Sequence, residues 1–127
     1  MIAAVDIGLK RIGLALENNG IITPQNPIIR KNRDQASFEV DEFLKYWQIK
    51  MLVVGLPFSN EETSRRIKHF VGLLKFQEKI VFVNEDLSSF EAEELSKGVF
   101  KHKKDGKNDS LAAAIILERY LKSQVLV

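Results

Sequence analysis

The chain contains no cysteine among its 127 residues, so it forms neither a disulfide framework nor a thiolate metal site. Any metal that it binds must use oxygen or nitrogen ligands. Long hydrophobic runs are also absent: the longest, Leu111 to Leu117, is far shorter than the roughly 18 residues that a membrane-spanning helix needs. The start of the chain shows no secretory signal pattern. We therefore expect a cytoplasmic protein with no membrane partner.

Proline occurs only 3 times, and the sequence contains no low-complexity tract, internal repeat or interdomain linker. A hydrophobic fraction of 45% with 28% charged residues excludes disorder. A chain of 127 residues has room for one core, so we predict a single domain over residues 1–127. The 19 basic and 17 acidic residues give a net charge of +2, a total that indicates no particular partner.

The first third of the chain has the pattern of an antiparallel meander. Apolar runs at residues 2–7 and 12–16 predict two strands, and a third is expected from Ile21 towards Arg30. Asn18-Asn19-Gly20 is a strong turn signal between the second strand and the third. The third strand contains two prolines, which cannot donate to a strand ladder, so we expect it at an edge of the sheet.

After residue 33 the pattern changes to helices that alternate with buried strands. Apolar residues on one face predict a helix from Asp34 to Trp47. Ser59 and Ser88, each followed three residues later by glutamate, have capping-box spacing and predict two further helix starts. Two unbroken apolar runs predict central strands, and the last helix is apolar on nearly every side; these segments are Met51–Val54, Ile80–Val83 and Asp109–Leu121.

The predicted order is therefore three strands, helix, strand, helix, strand and two helices. Right-handed crossovers and covered central strands give an α/β fold with helices on both faces of the sheet. We predict a ribonuclease-H-like mixed five-stranded sheet, in which an antiparallel meander of the first three strands is followed by parallel strands. Simple doubly wound folds differ, because they alternate strand and helix from the start.

Three acidic residues occur where this topology would gather them. Asp6 interrupts the first strand near its carboxyl end, Glu85 follows the last apolar strand, and Asp109 begins the last helix. Each has a purely structural alternative, since an acid can cap a turn, lie in solvent or complement a helix dipole. That alternative is weakest for Asp6, because a carboxylate in a central strand is costly to bury unless it is paired or bound to metal.

Carboxylates at neighbouring strand ends suit a hard divalent ion. Mg²⁺ prefers oxygen ligands, and paired ions stabilise both the attacking and the leaving oxygen of a phosphodiester. We therefore predict phosphoryl chemistry with Mg²⁺ or Mn²⁺ held by Asp6, Glu85 and Asp109. The sequence carries no phosphate-loop, dinucleotide-binding or Ser-His-Asp signature, and its two histidines cannot form a multi-histidine zinc site.

Basic residues flank two of these acids. Lys10 and Arg11 follow Asp6 at the first hairpin, and a second group precedes Asp109. The second group comprises Lys101, Lys103, Lys104 and Lys107. We predict that both groups contact the phosphates of a nucleic acid. The alternative for the second group is a lysine-rich segment that only increases solubility.

Four motifs resemble those of one known family. Asp6 to Ala15 reads D-I-G-L-K-R-I-G-L-A, and Val53 to Pro57 reads V-V-G-L-P. Val83 to Ser89 reads V-N-E-D-L-S-S, and Asn108 to Leu117 reads N-D-S-L-A-A-A-I-I-L. In this order they resemble the YqgF family of candidate pre-16S rRNA nucleases, also called Holliday-junction-resolvase-like proteins. The resemblance covers essentially the whole chain.

The resemblance implies a ribonuclease-H-like fold and a metal-dependent nuclease that matures the 5′ end of 16S rRNA. The expected partners are pre-16S rRNA and ribosome assembly intermediates. Asp6, Glu85 and Asp109 match the family's acidic positions, and Arg11 matches a basic one.

The chain departs from the family pattern at two points. Asn84 and Asp86 replace an acid and an arginine, which predicts one phosphate contact fewer, and the loop after Pro57 lacks the expected glycines. If the strand order is 3-2-1-4-5, Glu85 would lie two strand spacings from Asp6, about 9.6 Å. On this distance we rank Glu85 below the other two acids.

Two alternative functions follow from the same residues. A DNA junction resolvase would use the same carboxylates but needs two sites arranged by a dimer, and the sequence predicts a monomer or a weak homodimer. A non-catalytic module that binds nucleic acid or ribosome-assembly partners is the other alternative, supported by Asp86. Sugar kinases and actin-like ATPases share the Asp-x-Gly strand, but they need two such domains.

Overall fold

We analysed a computed structural model, which describes residues 1–86 and 110–125. The helix predicted to start at Ser88, the lysine group before the last helix, and Asp109 lie outside the described residues. Within the described part of the chain, no helix is long and apolar enough to cross a membrane.

The described residues form one sheet of five strands. They are β1 (Ile2–Ile7), β2 (Arg11–Asn18), β3 (Ile21–Ile29), β4 (Met51–Leu56) and β5 (Lys79–Asn84). The strand order is β3-β2-β1-β4-β5. β1 pairs antiparallel with β2 and β2 with β3, whereas β1 and β4, and β4 and β5, pair parallel. This confirms the predicted mixed sheet, and its strand order is the one on which the distance between Asp6 and Glu85 was reckoned.

The meander has the turn and the edge strand that the sequence predicts. Asn19 has φ 55° and Gly20 has φ 84°, so both central residues of the β2–β3 turn are left-handed, as a tight hairpin requires. β3 lies at the edge of the sheet, where Pro24 and Pro27 cost no central hydrogen bonds.

Among the described residues, three helices cover the sheet: α1 (Arg33–Tyr46), α2 (Glu61–Gly72) and α3 (Leu111–Val125). Alternate residues of each strand point to opposite faces. On one face the strands pack against α1 and α2, in a core that includes Val5, Ile12, Leu52, Val40 and Ile67. On the other face they pack against α3, in a core that includes Ala4, Ala15, Val53, Ala114 and Leu117. Helices on both faces are thus confirmed.

The helix starts agree with the sequence within one or two residues. Asn32 caps α1, and its side-chain oxygen accepts from the backbone N–H of Gln35 in a capping box. The predicted cap of α2 at Ser59 is wrong by one residue, because Asn60 holds that position and accepts from the N–H of Thr63 at 3.0 Å. Asparagine and serine cap helices about equally well, so capping-box spacing alone does not show whether Ser59 or Asn60 is the cap.

A buried serine holds the first turn of the α3 segment against β2. The β2–β3 register shifts between Ile12 and Leu14. The backbone N–H of Leu14 donates to the Oγ of Ser110 at 3.0 Å, and Ser110 is fully buried. Ser110 directly precedes α3, so this hydrogen bond joins the beginning of the helix to the strand that pairs with β1.

Candidate active site

Asp6 and Glu85 meet at the carboxyl edge of the sheet, on the face that α3 covers. Asp6 lies on β1, and Glu85 directly follows β5. The backbone N–H of Glu85 donates to the carbonyl of Leu56 at 2.8 Å, which fixes the chain as it leaves β5. The two carboxyl groups are hydrogen-bonded to each other, although β4 lies between their strands.

Gly55 of β4 explains how the two acids reach each other. In the sheet Gly55 pairs with Val83, and it lies one residue beyond the pairing of Val5 with Val54. A Cβ at this position would lie 3.0 Å from Oε2 of Glu85 and 2.3 Å from Cδ1 of Ile116. The side chain of Glu85 therefore crosses β4 over a residue that has no side chain.

This geometry shows that Glu85 reaches Asp6 despite the distance that strand spacing alone gives. The distance between β1 and β5 suggests that Glu85 can hardly reach Asp6. It leaves out the open path that Gly55 provides across β4. The signal was present in the sequence, because a glycine inside a buried, valine-rich strand indicates a close approach by another group. The sequence motif V-V-G-L-P contains this glycine, but its function there was not predicted.

Burial and mutual repulsion dominate the electrostatics of the pair. Burial raises the pKa of Asp6 above its usual value, while the hydrogen bond with Glu85 lowers it in part. Burial also raises the pKa of Glu85, and the charges of Asp6 and Asp86 raise it further, to about 8. Two carboxyl groups this close cannot both ionise easily, so in the absence of a cation they share a proton.

The donor set of this pair fits a hard divalent cation. Its members are carboxylate oxygens, half-buried and aimed at each other, and a cation between them would take the place of the shared proton. The residues that the structure describes contain no group of three or more acids, histidines or cysteines able to hold a metal. Asp109, the third predicted ligand, lies outside the described residues, and its neighbour Ser110 is the buried serine bound to β2.

The two departures from the family pattern have a structural explanation. Oδ1 of Asn84 accepts from the N–H groups of Phe58, at 3.3 Å, and Asp86, at 3.0 Å. Oδ2 of Asp86 accepts from the N–H of Ser59 at 2.9 Å. Both side chains therefore hold the loop between β4 and α2 from the end of β5. This loop is the one in which the expected family glycines are missing.

Lys10 and Arg11, the basic residues predicted to bind phosphate, are exposed at the hairpin between β1 and β2. The hairpin is held from β3, since the N–H of Arg30 donates to the carbonyl of Lys10 at 2.8 Å. Nη1 of Arg30 also donates to the carbonyl of Gly8 at 2.7 Å. The remaining predicted contacts, Lys101, Lys103, Lys104 and Lys107, lie outside the described residues.

Comparison with known proteins identifies the family of this chain. A family model described as RuvX, Holliday junction resolvase, matches residues 1–123. The chain belongs to the RuvX family. A Sulfurovum protein is 56% identical over 124 residues, which cover 94% of this chain and 97% of the relative. A Helicobacter pylori protein is 51% identical over 132 residues, covering 99% of this chain and 98% of the relative.

Both relatives are named as candidate pre-16S rRNA nucleases. The family predicted from the four sequence motifs is thus confirmed for this RuvX chain, and the relatives' names agree with the predicted nuclease function.

Solved structures with little sequence identity have the same fold as this RuvX chain. Thermus thermophilus RuvC, in complex with a Holliday junction, aligns with a TM-score of 0.63 at 13% identity, over 96% of this chain and 94% of RuvC. Fowlpox virus resolvase, in complex with Holliday junction DNA, aligns with a TM-score of 0.62 at 15% identity, over 99% of both chains. At these identities the likeness establishes the ribonuclease-H-like fold alone.

Proposed function

We propose that this RuvX protein is a divalent-cation-dependent nuclease that hydrolyses phosphodiester bonds of structured RNA, with the 5′ region of pre-16S rRNA as its substrate. The observation that carries the proposal is the pair of carboxyl groups of Asp6 and Glu85, joined over Gly55 at the carboxyl edge of the sheet. The names of the close relatives supply the substrate class. The proposed setting is the cytoplasm, on ribosome assembly intermediates.

In this proposal Asp6, Glu85 and Asp109 hold Mg²⁺ or Mn²⁺. When bound, such an ion stabilises negative charge on the oxygens of the phosphodiester. Asp6 and Glu85 supply ligand oxygens from two strands of a rigid sheet, which fixes their separation. Gly55 keeps the path between them open, and Asn84 holds the adjacent loop.

The basic residues bind the substrate's backbone in this proposal. Lys10 and Arg11 extend from the hairpin that follows Asp6, so a phosphate that they bind would lie beside the acids. Lys101, Lys103, Lys104 and Lys107 are proposed to bind further phosphates. Such contacts strengthen binding at low salt and carry no sequence information.

Branched DNA is the second candidate substrate. It is favoured by the similarity to two structures described as resolvases bound to Holliday junction DNA. Resolution of a junction requires two active sites, so this candidate needs a homodimer, whereas cleavage of RNA does not.

A cleavage assay with two substrates tests the proposal. Wild type, Asp6→Asn and Glu42→Gln are incubated with a pre-16S rRNA fragment or a four-way DNA junction, in Mg²⁺, Mn²⁺ or EDTA. Glu42→Gln is the matched control, because it removes one exposed carboxylate from α1. We expect Asp6→Asn to lower RNA cleavage about 100-fold or more, since several kcal/mol of transition-state stabilisation would be lost.

Four outcomes separate the candidates. RNA cleavage that needs a divalent cation and Asp6 supports the proposal. Cleavage of the junction alone, by a dimer, favours the second candidate. Cleavage by Asp6→Asn at the wild-type rate contradicts both, and binding without cleavage of either substrate indicates a non-catalytic module.

A further inference from the structure

A second charged site lies on the opposite face of the sheet, between the end of β3 and the helices α1 and α2. It is a pocket of about 300 Å³ whose lining includes Arg30, Arg33, Arg66 and His69, with Ile7 and Phe70 as apolar contacts. Neither the family motifs nor the proposed active site includes any of these basic residues.

The three arginines gather positive charge, and no carboxylate of residues 1–86 or 110–125 forms an ion pair with them. Among the described residues, the side-chain ion pairs are Lys50 with Glu78 and Lys122 with Glu118, and none involves this pocket. Burial lowers the pKa of Arg30, and the charges of Arg66 and Arg33 lower it further. Holding like charges together costs free energy unless an anion offsets it.

Two of the basic side chains are held in place by neighbours. The guanidinium of Arg30 lies over the ring of Phe70, 5.0 Å from its centroid, and donates to the carbonyl of Gly8. Nη1 of Arg33 lies 3.0 Å from Nε2 of His69. Because a guanidinium can only donate, Nε2 is the acceptor, which places the imidazole proton on Nδ1. These contacts orient the guanidinium groups without neutralising them.

The pocket lies directly behind the proposed active site. Ile7 lines it, whereas its neighbour Asp6 is on the opposite face of β1, as alternate strand residues must be. Arg30 is hydrogen-bonded to Gly8, two residues beyond Asp6. A strand that passes over the carboxyl edge of the sheet could therefore contact the acids on one face and the arginines on the other.

We propose that Arg30, Arg33 and Arg66 form a binding site for a backbone phosphate of the nucleic acid substrate, on the face of the sheet opposite Asp6 and Glu85. The ligand class is a phosphodiester, which the planar forks of arginines bind in a bidentate manner. The inference rests on the proposed nuclease function for the identity of the ligand. Free inorganic phosphate has the same chemistry and must be separated from it by experiment.

A matched pair of variants on α2 tests the site. Arg66→Gln removes a pocket arginine, and Arg65→Gln removes the adjacent arginine, which is also exposed but does not line the pocket. Binding of a labelled pre-16S rRNA fragment is measured against salt concentration in EDTA, so that the result does not depend on cleavage. Thermal unfolding of each variant verifies that it is folded.

We expect Arg66→Gln to lower the slope of log K against log salt by about 0.7–0.9, the value of one lost phosphate contact. Relative to 1 M salt, this corresponds to about a five- to eightfold loss of affinity at 0.1 M salt. Arg65→Gln should leave the slope unchanged. Equal effects of the two variants, or no effect of either, would overturn the inference, while leaving the cleavage test of Asp6→Asn unaffected.

An NMR titration identifies the source of the phosphate. The Nε–Hε signals of Arg30, Arg33 and Arg66 are followed as the RNA fragment, and separately inorganic phosphate, is added to the wild-type chain. Shifts with the RNA support the inference. Shifts with inorganic phosphate alone, or with neither, contradict it.

Discussion

At the scale of single residues, the site depends on Gly55 as much as on the acids. Asp6 and Glu85 could be predicted from the sequence, because acidic residues at the ends of apolar strands need an explanation. Their meeting could not be predicted from strand spacing, since it depends on the absence of a side chain between them. The missing Cβ of Gly55 leaves room for both Glu85 and Ile116.

Gly55→Ala tests this dependence. The new Cβ would be too close to Cδ1 of Ile116 and would contact Oε2 of Glu85. We expect the substitution to cost about 1–3 kcal/mol of stability through overpacking. Displacement of Glu85 should lower RNA cleavage by about 10- to 100-fold. Urea unfolding and the cleavage assay measure the two effects.

Gly72→Ala is the control for this experiment. Gly72 ends α2, and a Cβ there would meet nothing within 4 Å. Its φ is not positive, so alanine fits the backbone and should stabilise the protein by about 0.4–1 kcal/mol. If Gly55→Ala behaved like Gly72→Ala in both assays, the path over β4 would not be the reason that Glu85 reaches Asp6.

At the scale of helices and strands, periodicity and turn chemistry predicted most of the fold. The mixed sheet, the edge position of β3 and the first helix follow from local patterns and chain-crossing rules. The contact between Ser110 and β2 could not be predicted, because it joins residues 96 positions apart. This contact depends on the register shift in β2, which no local sequence pattern predicts.

Ser110→Ala tests the role of this contact. The substitution would leave the N–H of Leu14 buried without its partner, at a cost of about 1–3 kcal/mol of stability. We also expect weaker cleavage, because Ser110 adjoins the proposed ligand Asp109. Urea unfolding and RNA cleavage are the measurements, with Ser123→Ala as control, since that serine is near the carboxyl end of α3 and bonds only within the helix. Equal stability of the two variants would contradict this role.

At the scale of the whole molecule, the net charge is only +2, but the acidic and basic side chains are unevenly distributed. Acids meet on the α3 face of the sheet, and arginines gather on the face of α1 and α2. The sequence predicted basic groups only near the acids in the chain, at the first hairpin and before Asp109. Arg30, Arg33 and Arg66 were not predicted, because one follows β3, the others lie on two different helices, and only the folded chain brings all three together.

The pairing of Asp6 and Glu85 also couples the stability of the whole molecule to pH. Glu85 has a pKa of about 8 in the folded protein and a usual value of 4.5. Between these values the folded state holds more protons than the unfolded chain, so stability should fall as pH rises through that window. Binding of a divalent cation to the deprotonated pair should reverse the loss.

Thermal unfolding tests whether the two acids form one cation site. The Tm of wild type and of Glu85→Gln is measured from about pH 5 to pH 9, first in EDTA and then in Mn²⁺. In EDTA we expect the Tm of wild type to fall relative to Glu85→Gln as pH rises from about 4.5 towards 8. Mn²⁺ should raise the Tm of wild type at high pH and have much less effect on the variant. Parallel pH curves for the two proteins, with no difference in their response to Mn²⁺, would contradict a shared site.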